Sequence, residues 1–448
     1  MSALARFFNA MGKEASGYDK TKTELTDELV REGIAVHFNE DDALIKNNFK
    51  SGKWSSENLL VVYTPAVPKT HSEYIYLNNL KINIKKRSEV LGMLTQQAPT
   101  IAVAGTHGKT TTSSLVAHIL RTAGIDCSAF LGGITKNYST NLLLSKSLNL
   151  EPETRNPKPI VVEADEYDRS FLTLHPYIAV ITSLDADHLD IYGTHEEMLS
   201  TYLKFSKQVK HKLIINKSIS SIVKWEGSPI TYSVKEKADF YAENITIENG
   251  FYFYDIVTPN CKIEKLSLGL PGLHNVENSV AATVVAIQMN VNEESIRKAL
   301  QTFEGAKRRF DYQIRSKDIV FIDDYAHHPE ELRACISSVK QMYPNKKVTG
   351  VFQPHLFTRT RDFADGFATS LDLLDECILL DIYPAREEPI AGITSQMLLD
   401  KMKSKNKFLS SKKELVNDLT KRKLEVLVTL GAGDIDTLVE PIKKMLLK

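Results

Sequence analysis

The run TIAVAGTHGKTTTSSLVAHIL, Thr100 to Leu120, restricts the fold more than any other stretch of the chain. A short apolar strand passes through a Gly/Thr-rich turn into a helical pattern, the context in which a phosphate loop forms. Backbone N–H groups at the start of such a helix, together with its positive dipole end, can hold di- or triphosphate oxygens. The Walker A pattern asks for a glycine where Val103 stands, so the match is incomplete. Two readings therefore stay open on these residues alone, a cradle of shorter length and a structural turn. In the first, Gly105, Thr106, His107, Gly108, Lys109, Thr110 and Thr111 line the nucleotide. Lys109 would then reach the terminal phosphates of ATP, and the Thr110 hydroxyl would ligate Mg²⁺.

With 448 residues, the chain is longer than one hydrophobic core usually supports, and its length suggests about three domains. Residues 1–96 alternate helical patterns with short strands (EGIAVHF, NLLVVYTPAV, LKINIKK), an α/β texture. Residues 97–304 restart with the loop just described, add the strands PIVVEAD and PYIAVITSLD, and pass through a polar, antiparallel-looking stretch to the helix after LPGLHNVENSVAA. Residues 305–448 carry four strand candidates, DIVFIDDYAHHP, KKVTGVFQPH, ECILLDIYPAR and LEVLVTLGAGDI, each apolar and then polar. In open parallel sheets ligands bind beyond the carboxyl ends of the strands, so these polar tails are where chemistry is expected.

Fifty-six basic residues balance 56 acidic ones, without a block of like charge, so the electrostatic footprint of a nucleic-acid binder is missing. No apolar run approaches membrane-spanning length, and the start has no secretory pattern, which makes a cytoplasmic enzyme the default and a membrane partner unexpected. Cys127, Cys261, Cys335 and Cys377 lack CxxC spacing and read as buried apolar fillers, neither a zinc site nor a disulfide scaffold.

Two carboxylate-rich strand ends accompany the loop: EADE at 163–166 and DADHLD at 185–190. Mg²⁺ prefers oxygen ligands and bridges phosphate oxygens, so such ends suit it. His188 is a less usual ligand for that ion. Asp165, Glu166, Asp185 and Asp187 read equally well as helix caps and loop solvators, which is the preferred reading for most of them.

In this order, GTHGKTTT, the glutamate of EADE, the histidine of ADHLD, HNVEN, KRRFD at 307–311 and DDYAHHPEE at 323–331 resemble the Mur ligases over nearly the whole chain. That family has a short GTxGKT loop, which favours the cradle. The resemblance implies a three-domain α/β fold, with a Rossmann-like N-terminal domain, a central P-loop ATPase-like domain and a C-terminal Rossmann-like domain. It also implies an ATP- and Mg²⁺-dependent, ADP-forming ligase of peptidoglycan precursor synthesis. EADEYDRSFL, DDYAHHPEE, FQPHLFTRTRDF and IYPAREEPI resemble the members that join L-alanine to the lactyl carboxylate of UDP-N-acetylmuramate through an acyl phosphate. Two rivals stay open: a murein-recycling ligase that adds a whole peptide to the same sugar nucleotide, and a catalytically silent nucleotide-binding homologue.

Carried over residue by residue, the resemblance puts Lys109 on the β- and γ-phosphates, with Thr110 and Glu163 on a first Mg²⁺ and His188 on a second. Asn275 and Asn278 contact adenine, although Asn275 also reads as a helix cap. Arg309 reaches the γ-phosphate and Asp324 a ribose hydroxyl. Tyr325, His327, His355 and Arg359 form the amino-acid site, where an arginine fork suits an α-carboxylate and His327 can take a proton from the incoming ammonium. His328 reads as a loop anchor, and Arg361 equally as a ligand or as solvated surface.

One departure concerns the start. The family opens with a strand and a GxGGxGMS loop that cradles the UDP pyrophosphate, whereas this chain begins MSALARFFNAMG. The expectation is a start site further upstream, with a domain rebuilt without the loop as the alternative, a parallel sheet with an unpaired edge, and a helix whose apolar face (Leu4, Phe7, Phe8, Met11) lies uncovered. Poor UDP-sugar binding follows from it. Ser16, Asp19, Thr64 and Arg87 remain as UDP-side candidates.

Overall fold

The computed structural model describes residues 1–448 except 66, 147–156, 249 and 386. They fall into two compact units: Met1–Lys109, Leu120–Gly132 and Thr140–Thr231 in the first, and Thr110–Ile119, Gly133–Ser139 and Tyr232–Lys448 in the second.

The first unit begins with the helix Ser2–Ala10. Strands β1 (Ser16–Tyr18) and β2 (Ala35–His37) form one parallel pair, and β3 (Val61–Tyr63) and β4 (Ile84–Lys86) another. The strands of the larger sheet that belong with this unit are β5 (Thr100–Ala104), β6 (Ser128–Thr135), β7 (Thr140–Leu143), β8 (Ile160–Glu163), β9 (Ile178–Ile181) and β10 (Lys212–Asn216). Their order is β10-β9-β5-β8-β6-β7. Parallel neighbours flank β5 on both sides, and every residue of it is buried. That is why TIAVA reads as continuous apolar sequence, without the alternation of a half-exposed strand.

The apolar face of the first helix is covered, contrary to expectation. Leu4 and Phe7 are buried in the main core of the unit, with Phe8 and Met11 packed against it. The Phe7 ring lies 5.4 Å from that of Phe130 on β6. A strand far along the chain supplies the cover, so nothing local in the sequence announces it.

In the second unit β11 (Ile230–Ser233) pairs in parallel with β12 (Phe240–Glu248) through Tyr232 and Ser233. The polar stretch then continues as the expected antiparallel meander, β12 with β13 (Phe251–Val257) and β13 with β14 (Lys262–Leu268). Cys261, in the turn before β14, is exposed, while Cys127, Cys335 and Cys377 are buried, so the filler reading fails for this one cysteine. The six-stranded sheet holds β15 (Asp311–Arg315), β16 (Val320–Asp324), β17 (Val348–Phe352), β18 (Glu376–Leu379), β19 (Lys407–Leu409) and β20 (Val426–Leu430). Its order is β15-β16-β20-β17-β18-β19. The four expected strands are its parallel centre, β16, β20, β17 and β18. Two short edge strands lie outside the expectation, β15 antiparallel and β19 parallel to their neighbours.

Candidate active site

At the carboxyl end of β5 the chain turns into the helix Lys109–Thr122, as a phosphate loop must. Gly105 has φ 127°, and a Cβ there would stand 2.1 Å from Thr182 Oγ1, so only glycine fits. The end of β9 braces the loop. Thr106 N–H donates to Ser183 O (3.2 Å), and the Thr106 and Ser183 hydroxyls meet at 2.9 Å. His107 N–H donates to Ser183 Oγ (2.8 Å), and its Nε2 lies 3.4 Å from Asp185 Oδ2. Thr110 and Thr111 follow in the first helical turn, both buried.

Lys109 is folded over its own loop. Its ammonium donates to Gly105 O (2.7 Å), Thr106 O (3.3 Å) and Glu166 Oε1 (2.9 Å). Burial alone would lower its pKa, but Glu166 and Glu163 outweigh that and raise it. Glu166 corrects the cap-or-solvator reading: its side chain is 1% exposed, and Oε2 is buried with no hydrogen-bond partner. Burial pushes its carboxyl up to about 7, with Lys109 pulling the other way. His188 Nε2 stands 3.7 Å from Glu166 Oε1 and 3.8 Å from Asp187 Oδ2. The first unit thus gathers Lys109, Glu166 and His188. Nothing in the EADE pattern alone tells which acid turns inward; the one available signal is the apolar Tyr167/Phe171 spacing that follows it.

Glu163, the last residue of β8, accepts the Gly132 N–H (3.0 Å) at Oε2. A Cβ at Gly132 would come within 2.3 Å of both carboxylate oxygens. Glu163 and Arg87 line one cavity of about 240 Å³ together with Leu4, Gly132, Asp165 and Phe171. Arg87 Nη2 lies 3.6 Å from Asp165 Oδ2. Of the UDP-side candidates, Asp19, Thr64 and Arg87 immediately follow β1, β3 and β4, at carboxyl ends. Ser16 opens β1 instead, at the opposite end of the strand from Asp19. Among the described residues no three His, Cys, Asp or Glu side chains form a cluster able to hold a metal ion.

In the second unit, Asn275 and Asn278 lie on the helix Leu273–Gln288, whose cap is Gly272, so Asn275 is not the cap. Asn275 Nδ2 donates to Pro271 O (2.5 Å), and its Oδ1 accepts from Asn278 Nδ2 (3.3 Å). Thr112 Oγ1 donates to Asn278 Oδ1 (3.2 Å). Asp324 ends β16. Its two oxygens accept the Phe310 (2.7 Å) and Ala326 (2.8 Å) N–H groups. Burial raises this carboxyl to about 6, while Arg309 draws it down. The Arg309 guanidinium lies over the Tyr325 ring at 4.9 Å.

The expected amino-acid residues converge at the carboxyl ends of β16 and β17. The Tyr325 and His327 ring centroids are 5.3 Å apart, and those of His327 and His355 are 6.0 Å apart. Arg359, buried, places Nη1 3.5 Å from His355 Nδ1. His327 Nδ1 lies 3.0 Å from Tyr325 O and 3.2 Å from Glu331 Oε2. Both neighbours of Nδ1 are acceptors, so a hydrogen bond to either is donated by Nδ1. Neighbours outside this set also stand here, and sequence reasoning passed over Glu331 and Tyr383. His328 caps the helix Pro329–Met342, and Arg361 is a surface residue paired with Asp362.

Three family models match the chain: "Mur ligase family, catalytic domain" over residues 1–98, "Mur ligase middle domain" over 103–286, and "Mur ligase, glutamate ligase domain" over 308–433. The UDP-N-acetylmuramate–L-alanine ligase of Parabacteroides distasonis is 50% identical over 452 aligned residues, covering 100% of this chain and 95% of the relative. The ligase of the same name from Flavobacterium johnsoniae is 49% identical, with 100% and 95% covered. Among solved structures, the UDP-N-acetylmuramate-alanine ligase of Thermotoga maritima superposes with a TM-score of 0.81 at 25% identity, covering 100% of this chain and 96% of that one. A murein peptide ligase from Psychrobacter arcticus, at TM-score 0.68 and 21% identity with 100% and 96% covered, shares the fold. The chain belongs to the Mur ligase family of ATP-dependent ligases and has that family's three-domain α/β architecture.

Proposed function

We propose that this chain joins L-alanine to the lactyl carboxylate of UDP-N-acetylmuramate, converting ATP to ADP and phosphate. The observation that carries the reading is identity of about half the residues, over the full length, to ligases of that name. A lactyl carboxylate oxygen attacks the γ-phosphorus and ADP leaves; the amine of L-alanine then attacks the acyl carbon and phosphate leaves. Both steps gather negative charge on crowded oxygens, so catalysis rests on cations and positioning.

Lys109 serves this by exchanging its loop carbonyls for phosphate oxygens. Asn275 and Asn278 are assigned to adenine, Arg309 to the γ-phosphate and Asp324 to a ribose hydroxyl. Arg87, on the cavity it shares with Glu163 and Asp165, is assigned to an anionic group of the sugar nucleotide. Tyr325 and Arg359 hold the amino acid, and His327 Nε2 takes the ammonium proton.

Mg²⁺ fits this donor set, since it keeps waters and phosphate oxygens and asks for only one or two protein oxygens. Thr110 and Glu163 would hold one ion and His188 a second, supplying charge neutralisation at the phosphates. No helix among the described residues is long and apolar enough to cross a membrane; separately, the nucleotide substrates support a cytoplasmic enzyme. Domain limits at 96/97 and 304/305 belong to the same reading. Mass spectrometry of a reaction with ATP, the sugar nucleotide and L-alanine tests it. An alanyl adduct is expected; an adduct formed only with a peptide acceptor transfers the case to the recycling ligase.

A further inference from the structure

Tyr383, the tyrosine of IYPAREEPI, has no role assigned above and lies just beyond the carboxyl end of β18, beside the amino-acid cluster. Its ring stacks on His355, with centroids 5.8 Å apart and planes at 21°. The two backbones are tied at the same place. Tyr383 N–H donates to Pro354 O (2.8 Å), Leu356 N–H donates to Tyr383 O (2.9 Å), and the pair forms an isolated parallel bridge. The strained Leu356, at φ 70°, turns the chain into the helix that carries Arg359 directly after this clamp.

A glycine stands at the base of the Tyr383 side chain. A Cβ at Gly433 would stand 2.5 Å from Gln353 Oε1, 2.7 Å from Tyr383 Cβ and 2.8 Å from its Cγ. Gln353 closes the frame: its Oε1 accepts from Ile435 N–H (2.9 Å) and its Nε2 donates to Asp434 Oδ1 (2.8 Å). Tyr383 therefore sits, half-buried, between the ends of β17 and β18 and the turn after β20, with its ring stacked against the His355 imidazole. His355 in turn meets His327 on one side and Arg359 on the other.

We infer that Tyr383 is a positioning residue for the amino-acid substrate: it locks the His355 ring, and through it the Arg359 fork, in the geometry that receives an α-carboxylate beside His327. The inference rests on the amino-acid site proposed above.

The test is a set of steady-state assays of phosphate release, in which L-alanine and ATP are varied separately, on the intact protein and on Tyr383→Phe, Tyr383→Ala and Gly433→Ala. Tyr383→Phe keeps the ring and retains the KM of the intact protein for L-alanine. Tyr383→Ala, and Gly433→Ala by crowding Tyr383 Cβ together with Gln353 Oε1, each raise that KM about tenfold or more. The KM for ATP stays within about twofold, because its contacts are elsewhere. An unchanged alanine KM in both disrupting variants, or parallel loss toward ATP and alanine, overturns the inference. Absence of alanine-dependent release from the intact protein overturns the functional reading itself, which separates the two failures.

Discussion

Replacing Lys109 by methionine isolates the buried pair at the phosphate loop. The methionine retains most of the aliphatic stem, so the loss is the ammonium and its three hydrogen bonds. Glu166 is then left with Oε2 unpartnered, as before, and with Oε1 deprived of its 2.9 Å donor. Removing one member of a buried ion pair costs about 3–5 kcal/mol when the other remains charged. Protonation limits that cost. Burial already holds the Glu166 carboxyl up at about 7 with the lysine present, and losing the lysine raises it further. A carboxyl whose pKa is raised on folding contributes stability that is fully present below its unfolded value, about 4.3, and is lost as pH rises through the folded value. The deficit of Lys109→Met against the intact protein is therefore about 3 kcal/mol at pH 8.5 and under about 1 kcal/mol at pH 5.5. Both tryptophans, Trp54 and Trp225, lie in the first unit, so their fluorescence during urea unfolding reports on the part of the chain that holds the pair. ATP-dependent phosphate release falls about 100-fold or more at either pH. Equal deficits at the two pH values, or none at pH 8.5, would refute the reasoning.

Gly132→Ala brings a methyl group within 2.3 Å of the Glu163 carboxylate. The far end of that side chain yields, so stability is preserved while kcat drops about 100-fold, read by phosphate release alongside a melting curve. Asp324→Ala leaves the Phe310 and Ala326 N–H groups without their acceptors, lowering stability by about 1–3 kcal/mol for each buried donor in a denaturant titration. Arg359→Lys replaces a fork with a point charge and raises the KM for L-alanine about tenfold, with little effect on that for ATP.

Much of the frame was legible from local pattern. The apolar runs at β5, β8 and β9 and in the C-terminal sheet are buried on both faces, and such strands are written as uninterrupted apolar sequence. The turn between β5 and its helix is likewise written in glycines and threonines. What the pattern does not carry is direction. Glu163 and Glu166 stand three residues apart at the end of β8, yet one ends the strand while the other is turned into the core ahead of a segment in which Asp168 and Arg169 take positive φ. The cover over Phe7 comes from Phe130 on β6, and the wall behind His355 comes from Tyr383, beyond the end of the next strand of the sheet. Each is a long-range pairing that neither partner's neighbours encode. Cys261 escaped the apolar-filler rule because it sits in a solvated turn of the meander, where no core is available to fill.

The central claim is that the sugar's carboxylate is phosphorylated before the amine arrives. Labelling the lactyl carboxylate of UDP-N-acetylmuramate with ¹⁸O and analysing the released phosphate by mass spectrometry tests this directly. The mechanism predicts that the phosphate carries one carboxylate oxygen for each amide formed. Amide formation with no label in the phosphate would contradict it.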